Sequence, residues 1–194
     1  HMTLARIAGA PPGIKGVSLF CVPRLRSDGG RLVDNDVAVA GMIHKIGWRG
    51  LPSLGLSYGE AGDCQGWLLG EPGKGLKYMF QMMNEARIDV GMGAAAIASA
   101  AYYASLQYAR ERHQGRKITE KDPSKPPVPI IEHADVKRML LFQKAVVEGS
   151  FSLVLQCARY TDLAWVLEGE EREKYEMLLD ILTPIAKTYP SVMG

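Results

Sequence analysis

The sequence predicts an α+β protein, mainly α, in which a partial antiparallel β domain (residues 3–70) precedes an antiparallel bundle of about three long helices (residues 71–194). Three observations carry this. Residues 75–112 contain no proline, and apolar residues fall at Leu76, Met79, Met82, Met83, Ala86, Val90, Ala94, Ile97, Ala101 and Tyr108, the three-to-four-residue spacing of a helix. Before that stretch, short apolar and β-branched runs alternate with Gly, Pro, Asn and Asp turns. After it, two further stretches repeat the helical period beyond a proline-rich connection.

Taken in order, His1-Met2 reads as an expression-tag remnant and stands outside the predicted fold. Strands are predicted at 16–23, 37–43 and 54–58. Three or four strands enclose little apolar surface and leave open edges, which marks them as half of a β domain. The turn Gly70-Glu-Pro-Gly-Lys-Gly75 spaces two glycines as a phosphate loop does, but Leu76 and Lys77 stand where Lys and Ser/Thr are required. Its predicted job is a tight entry into the first helix. At about 1.5 Å per residue that helix is roughly 55 Å long. Its centre, 91–104, is dominated by Gly, Ala and Ser, which lets another helix or a flat ligand come close to its backbone.

Charged groups bracket this small-residue stretch: Asn84, Glu85 and Arg87 before it, and Arg110, Glu111, Arg112, His113 and Arg116 after it. Arg87 fits an intrahelical pair with Glu85 or Asp89 as well as it fits a ligand contact, and cations at a helix C-terminus also complement the macrodipole. Four prolines keep 117–129 from being helical. A second helix is predicted over 134–167, weakest at Gly149. A third starts near Glu170, with a kink expected at Pro184.

Composition narrows the class. Of 194 residues, 47% are hydrophobic and 23% charged, which is globular rather than disordered. A formal net charge of +2 is too small to argue for a nucleic-acid partner. Cys21, Cys64 and Cys157 are odd in number and far apart, which speaks against a disulfide framework or a zinc site and fits a reducing cytoplasm. The Ala-rich helix centre continues into Met-rich and Arg-rich turns and is no membrane span. No His-Glu-x-x-His or Gly-x-Ser-x-Gly pattern occurs, so neither a metal set nor a catalytic residue is assigned.

Six stretches carry a family resemblance: Gly16-Val-Ser-Leu-Phe-Cys-Val-Pro23, His44-Lys-Ile-Gly47, Gly73-Lys-Gly-Leu76, Met83-Asn-Glu-Ala-Arg87, Tyr108-Ala-Arg-Glu-Arg112 and Ile131-Glu-His-Ala-Asp-Val-Lys-Arg138. In this order they make the chain resemble part of an acyl-CoA dehydrogenase, the end of its middle β domain and most of its C-terminal helical domain. The run Glu111 to Arg116 and the long loop after it resemble the 3-methylmercaptopropionyl-CoA dehydrogenase-like subgroup.

The resemblance implies an FAD enzyme that oxidises acyl-CoA to trans-2-enoyl-CoA, by α-proton abstraction and β-hydride transfer to flavin. It also implies a dimer or tetramer and an electron-transfer flavoprotein or similar acceptor. It places Asn84, Glu85, Ala86 and Arg87 at the acyl-CoA site. Arg112, His113 and Gln114 match the segment that reaches an FAD held mainly by a neighbouring subunit, and His133 with Ala134 matches a second FAD contact.

There are departures from the family pattern. Arg112-His-Gln-Gly115-Arg116 lacks the usual aromatic before the glycine, so that Arg116 is expected to substitute by charge. Ala134 stands in place of a common Gln, and Ala86 in place of the base found in some members. A segment without its base is expected to be inactive alone. Two other readings compete: an alkylation-response-type flavoprotein binding nucleic acid, which needs a basic extension, and a non-enzymatic helical interaction module.

Overall fold

The computed structural model describes residues 1–194 and divides into two compact units, His1–Met82 and Met83–Gly194. The division falls inside the first helix rather than at the turn before it, so the helix's opening two turns are counted with the β unit.

The β unit holds seven short strands: β1 (Met2–Arg6), β2 (Val17–Cys21), β3 (Leu25–Asp28), β4 (Arg31–Asp34), β5 (Val37–Ile43), β6 (Ser53–Tyr58) and β7 (Trp67–Leu69). All pairings are antiparallel: a three-stranded sheet in the order β1-β2-β7 and the hairpins β3-β4 and β5-β6. The terminal residues left out of the predicted fold belong to it. Met2 pairs with Cys21, and the His1 ammonium donates to the Val22 carbonyl at 2.7 Å. The β3-β4 hairpin also lies outside the predicted strands; it turns on Gly29 and Gly30, both at positive φ, the backbone that a two-residue hairpin loop demands.

Few apolar side chains are buried in this unit, and hydrogen bonds do much of the joining. Asn35 is 0% exposed. Its amide donates to the Pro23 and Gln65 carbonyls, each at 2.8 Å, while its Oδ1 accepts from Gln65 N at 3.0 Å and Arg26 at 3.2 Å. Asp36, at φ 52°, accepts from the amides of Ala61 and Asp63 at 2.8 and 3.2 Å. Arg26 pairs with Asp63 at 2.6 Å, which holds its guanidinium above the ordinary value. One asparagine thus ties β2's exit, the β3-β4 hairpin and the approach to β7.

The glycine turn closes on β2. Gly73, at φ 76°, donates its N–H to Ser18 Oγ at 2.9 Å, and a Cβ on Gly75 would collide with the backbone of Ser18 and Leu19. These glycines are consumed by close approach, which is the entry role the sequence assigned to them.

Three helices follow: α1 (Gly75–Glu111), α2 (Ala134–Val166) and α3 (Gly169–Met193). Within the second unit they form an up-down-up bundle. Gly91 lies against Ala186 and Ala98 against Gly194, so α1 and α3 advance in the same direction. Val154 sits at the level of Gly91, while Val146 and Val147 sit at the level of Ala98 and Met193, so α2 runs against both. The core gathers Ile88, Val154, Cys157 and Ala186, flanked by Met92, Leu153, Leu179 and Leu182.

The buried stripe of α1 runs through Ile88, Gly91, Ala95 and Ala98, with Ala109 buried near its end. Of the apolar residues that gave the helix its period, Val90, Ile97 and Tyr108 face outward, Ile97 at 60% exposure. Both stripes have helical spacing; the bundle closes on the one with smaller residues because only that one lets the backbones approach. Gly149 does not interrupt α2, and α3 runs unbroken through Pro184 and Pro190.

Candidate functional site

Two groups of residues that the sequence singled out lie on or beside α1. The first is in its early turns. Arg87 donates to Asn84 Oδ1 at 3.3 Å, one helical turn back, and both side chains are half-buried on the same face. Glu85 and Ala86 are exposed and lie round the helix from that pair.

The second group forms where α1 ends and α2 begins. The chain doubles back after α1 and is stitched in register: Gln114 N donates to the Val128 carbonyl and Val128 N to the Gly115 carbonyl, both at 3.0 Å, and Ile130 N donates to the Arg112 carbonyl at 2.8 Å. His113 and Pro129 face each other across this ladder. His133 locks it. Its Nε2 lies 2.8 Å from the Gln114 carbonyl, and since a carbonyl only accepts, Nε2 carries the proton. Gly115, at φ 66°, passes beside the His133 ring. Arg112, His113, Gln114 and His133 therefore meet in one corner, although Gln114 and His133 are 19 positions apart in sequence.

The donors left over define what this corner can hold. Arg112 spends one N–H on the His113 carbonyl at 2.6 Å and makes a long contact of 3.4 Å to Gln114 Oε1, leaving other N–H groups of its guanidinium facing solvent. His113 directs Nδ1 at the Glu111 carbonyl at 2.9 Å, so its proton is there and Nε2 is left as an acceptor in the neutral ring. The Gln114 side chain is exposed. Beside them α2 begins after His133 with no side-chain cap and with Asp135 in its first turn. The spare N–H groups of Arg112 suit an anionic, hydrogen-bond-accepting group, and His113 Nε2 offers an acceptor beside them.

Arg116 turns toward the proline-rich loop: its Nε donates to the Lys125 carbonyl at 2.6 Å and another of its nitrogens to the Pro123 carbonyl, so these N–H groups help fold the loop while the guanidinium keeps its charge. Sequence reasoning also missed the clasp beneath the corner, where Lys117 pairs with Glu132 at 2.9 Å. The Lys117 ammonium, helped by the charge of Lys137, holds the Glu132 carboxyl below its ordinary value. A readable signal was present: residues preceding prolines are driven to extended backbone, which favours a returning strand-like segment at 126–129.

Along α1 the two groups are far apart. Arg87 and Arg112 are separated by about 37 Å at 1.5 Å per residue. No group of three or more His, Cys, Asp or Glu converges that could hold a metal ion, and no helix is long and apolar enough to cross a membrane.

The fold agrees with comparisons to known proteins. Residues 73–171 match the family model described as acyl-CoA dehydrogenase, C-terminal domain. The chain is 41% identical to a butyryl-CoA dehydrogenase of Syntrophomonas wolfei, over 100% of this chain and 33% of the relative. It is 39% identical to the 3-methylmercaptopropionyl-CoA dehydrogenase of Ruegeria pomeroyi, over 97% of this chain and 32% of the relative. In fold it is similar to Caenorhabditis elegans ACDH-11, solved in complex with C11-CoA, with a TM-score of 0.74 at 22% identity over 97% of this chain and 29% of that one. The chain belongs to the acyl-CoA dehydrogenase family. It spans about a third of the length of the curated relatives it matches.

Proposed function

We propose that this chain is part of an FAD-dependent dehydrogenase that oxidises an acyl-CoA to trans-2-enoyl-CoA, and that it supplies binding groups to two different sites. Asn84, Glu85, Ala86 and Arg87 line the acyl-CoA site, with Arg87 holding a polar or anionic part of the CoA. Arg112, His113, Gln114 and His133 hold part of an FAD that belongs mainly to a neighbouring copy of the chain. Bound FAD would supply the hydride acceptor. The residues of this chain bind and orient, and no base is assigned among them; Glu85 lies off the Asn84–Arg87 face. The reading includes an electron-transfer flavoprotein or similar acceptor that would take up the electrons, and a cytoplasmic homo-oligomer.

The observation that carries this reading is the separation of about 37 Å along α1 between the two groups, which is more than one compact active site bridges. A division of labour between copies accounts for it. The experiment uses the full-length flavoprotein. Arg87→Ala should raise KM for acyl-CoA with flavin content intact, because a remote contact binds substrate and transition state alike. Arg112→Ala should release flavin, with part of the rate restored by added FAD. Each loss should be about ten- to a hundredfold in affinity, as for a charge-assisted hydrogen bond. Wild-type KM and flavin content in both variants would overturn the assignment.

A further inference from the structure

We propose that Gly91, Ala186 and Pro190 form a matched steric register that fixes the height of α1 against α3, making Gly91 a positioning residue for the Asn84–Arg87 pair. The functional half of this rests on the reading of Arg87 given above. Pro190 lies inside α3 and is fully buried. It has no N–H to give to the carbonyl four residues back, that of Ala186, and its ring crowds that carbonyl. The helix nonetheless resumes, with Gly194 N donating to the Pro190 carbonyl at 3.0 Å.

The Ala186 carbonyl meets α1 at Gly91. A Cβ on Gly91 would overlap the Ala186 oxygen and lie 3.0 Å from its carbonyl carbon and 3.4 Å from Val154 Cγ2. Ala186 is 0% exposed, so water is not at hand to satisfy the oxygen, and the Gly91 Cα–H group is what faces it. Beyond Gly91 the buried stripe of α1 is nearly featureless, with Ala95 and Ala98 presenting the same methyl group to the bundle, while before it Ile88 packs into the core. A slip of one turn would bring Arg87 or Ala95 to the carbonyl, and each carries the Cβ that Gly91 lacks. One height is therefore permitted, and Arg87 stands one turn before the contact that sets it.

The test uses the full-length flavoprotein and four variants: Gly91→Ala, Pro190→Ala, the double variant, and Arg87→Ala as a control. Gly91→Ala should lower Tm and raise KM for acyl-CoA by about tenfold or more with kcat and flavin content kept, since small displacements of positioning groups have effects of this size. Pro190→Ala returns an N–H to the Ala186 carbonyl and draws it back, so the double variant should recover most of both losses. If Gly91→Ala lowers Tm without moving KM while Arg87→Ala raises it, the positioning role is overturned and the reading of Arg87 stands. If Arg87→Ala leaves KM unchanged, that reading falls, and the register is judged on Tm: no recovery in the double variant overturns it. Should Gly91→Ala fail to fold, a folded double variant supports the register and an unfolded one overturns it.

Discussion

The two units of this chain are held together by different physics. In His1–Met82 the buried apolar side chains are Leu19, Val22 and Val37, and a buried asparagine joins the pieces through hydrogen bonds to distant backbone. In Met83–Gly194 three helices close on Ile88, Val154, Cys157 and Ala186, and the contacts are steric. Hydrogen bonds specify one geometry but leave a buried partner unsatisfied when one is removed, whereas packed methyl groups lose stability in proportion to what is removed. The first unit should fail at a point, and the second by degrees.

The largest effect should come from Asn35→Ala. It strands the Pro23 and Gln65 carbonyls and the Gln65 N–H, and at about 1–3 kcal/mol for each buried orphan the loss should be about 3 kcal/mol or more. Amide exchange should accelerate across His1–Met82 and stay slow in the bundle; uniform acceleration would break the contrast between the units. Next, Val154→Ala should cost about 2 kcal/mol by removing two buried methyl groups, read as a lower Tm with exchange accelerated in α2 and α3. A loss as large as that of Asn35→Ala would show that the bundle too depends on single points.

The smallest effect should be pH-dependent. Lys117 depresses the Glu132 carboxyl, so the clasp contributes its full stability above the ordinary glutamate pKa of about 4.3 and loses it as pH falls through the lower folded value. Acidification should loosen residues 112–133 first, seen as faster exchange of the Gln114 and Val128 amides relative to the rest of the bundle. Glu132→Gln should remove that acid-side component, and an unchanged pH profile in this variant would sink the role given to the clasp.

Helices were the most legible part of the fold. The predicted spans 75–112 and 134–167 differ from α1 and α2 by one residue at their ends, because period and proline punctuation are local signals. What could not be read was which stripe of α1 would be buried, since Val90 and Ile97 repeat with the same spacing as Gly91 and Ala98, and only the partners decide. Asn35 stood between two aspartates and looked like a turn; its partners at Pro23 and Gln65 are 12 and 30 positions away. The β3-β4 hairpin was announced by Asp28-Gly-Gly-Arg31 but lacks apolar alternation, and β1 went unread because, although only Met2 of it was set aside, residues 3–6 carry too few apolar side chains to stand out. At the candidate site the grouping of Arg112, Gln114 and His133 followed from the family resemblance, while the hydrogen bonds of Arg116 depend on loop carbonyls that no residue pattern specifies.

Cys157 gives the bundle a chemical reporter of its own opening. It has no exposed surface and sits in the core beside Val154, and burial pushes its thiol above the ordinary value, so the native protein offers neither access nor thiolate. Cys21 and Cys64 are only half-buried and lie in the other unit; burial pushes the Cys64 thiol up as well, so access is what separates it from Cys157. A thiol reagent should therefore mark the β unit promptly and reach Cys157 only in molecules whose helices have parted, so the labelling rate at that one sulfur counts openings of the bundle in an otherwise native population.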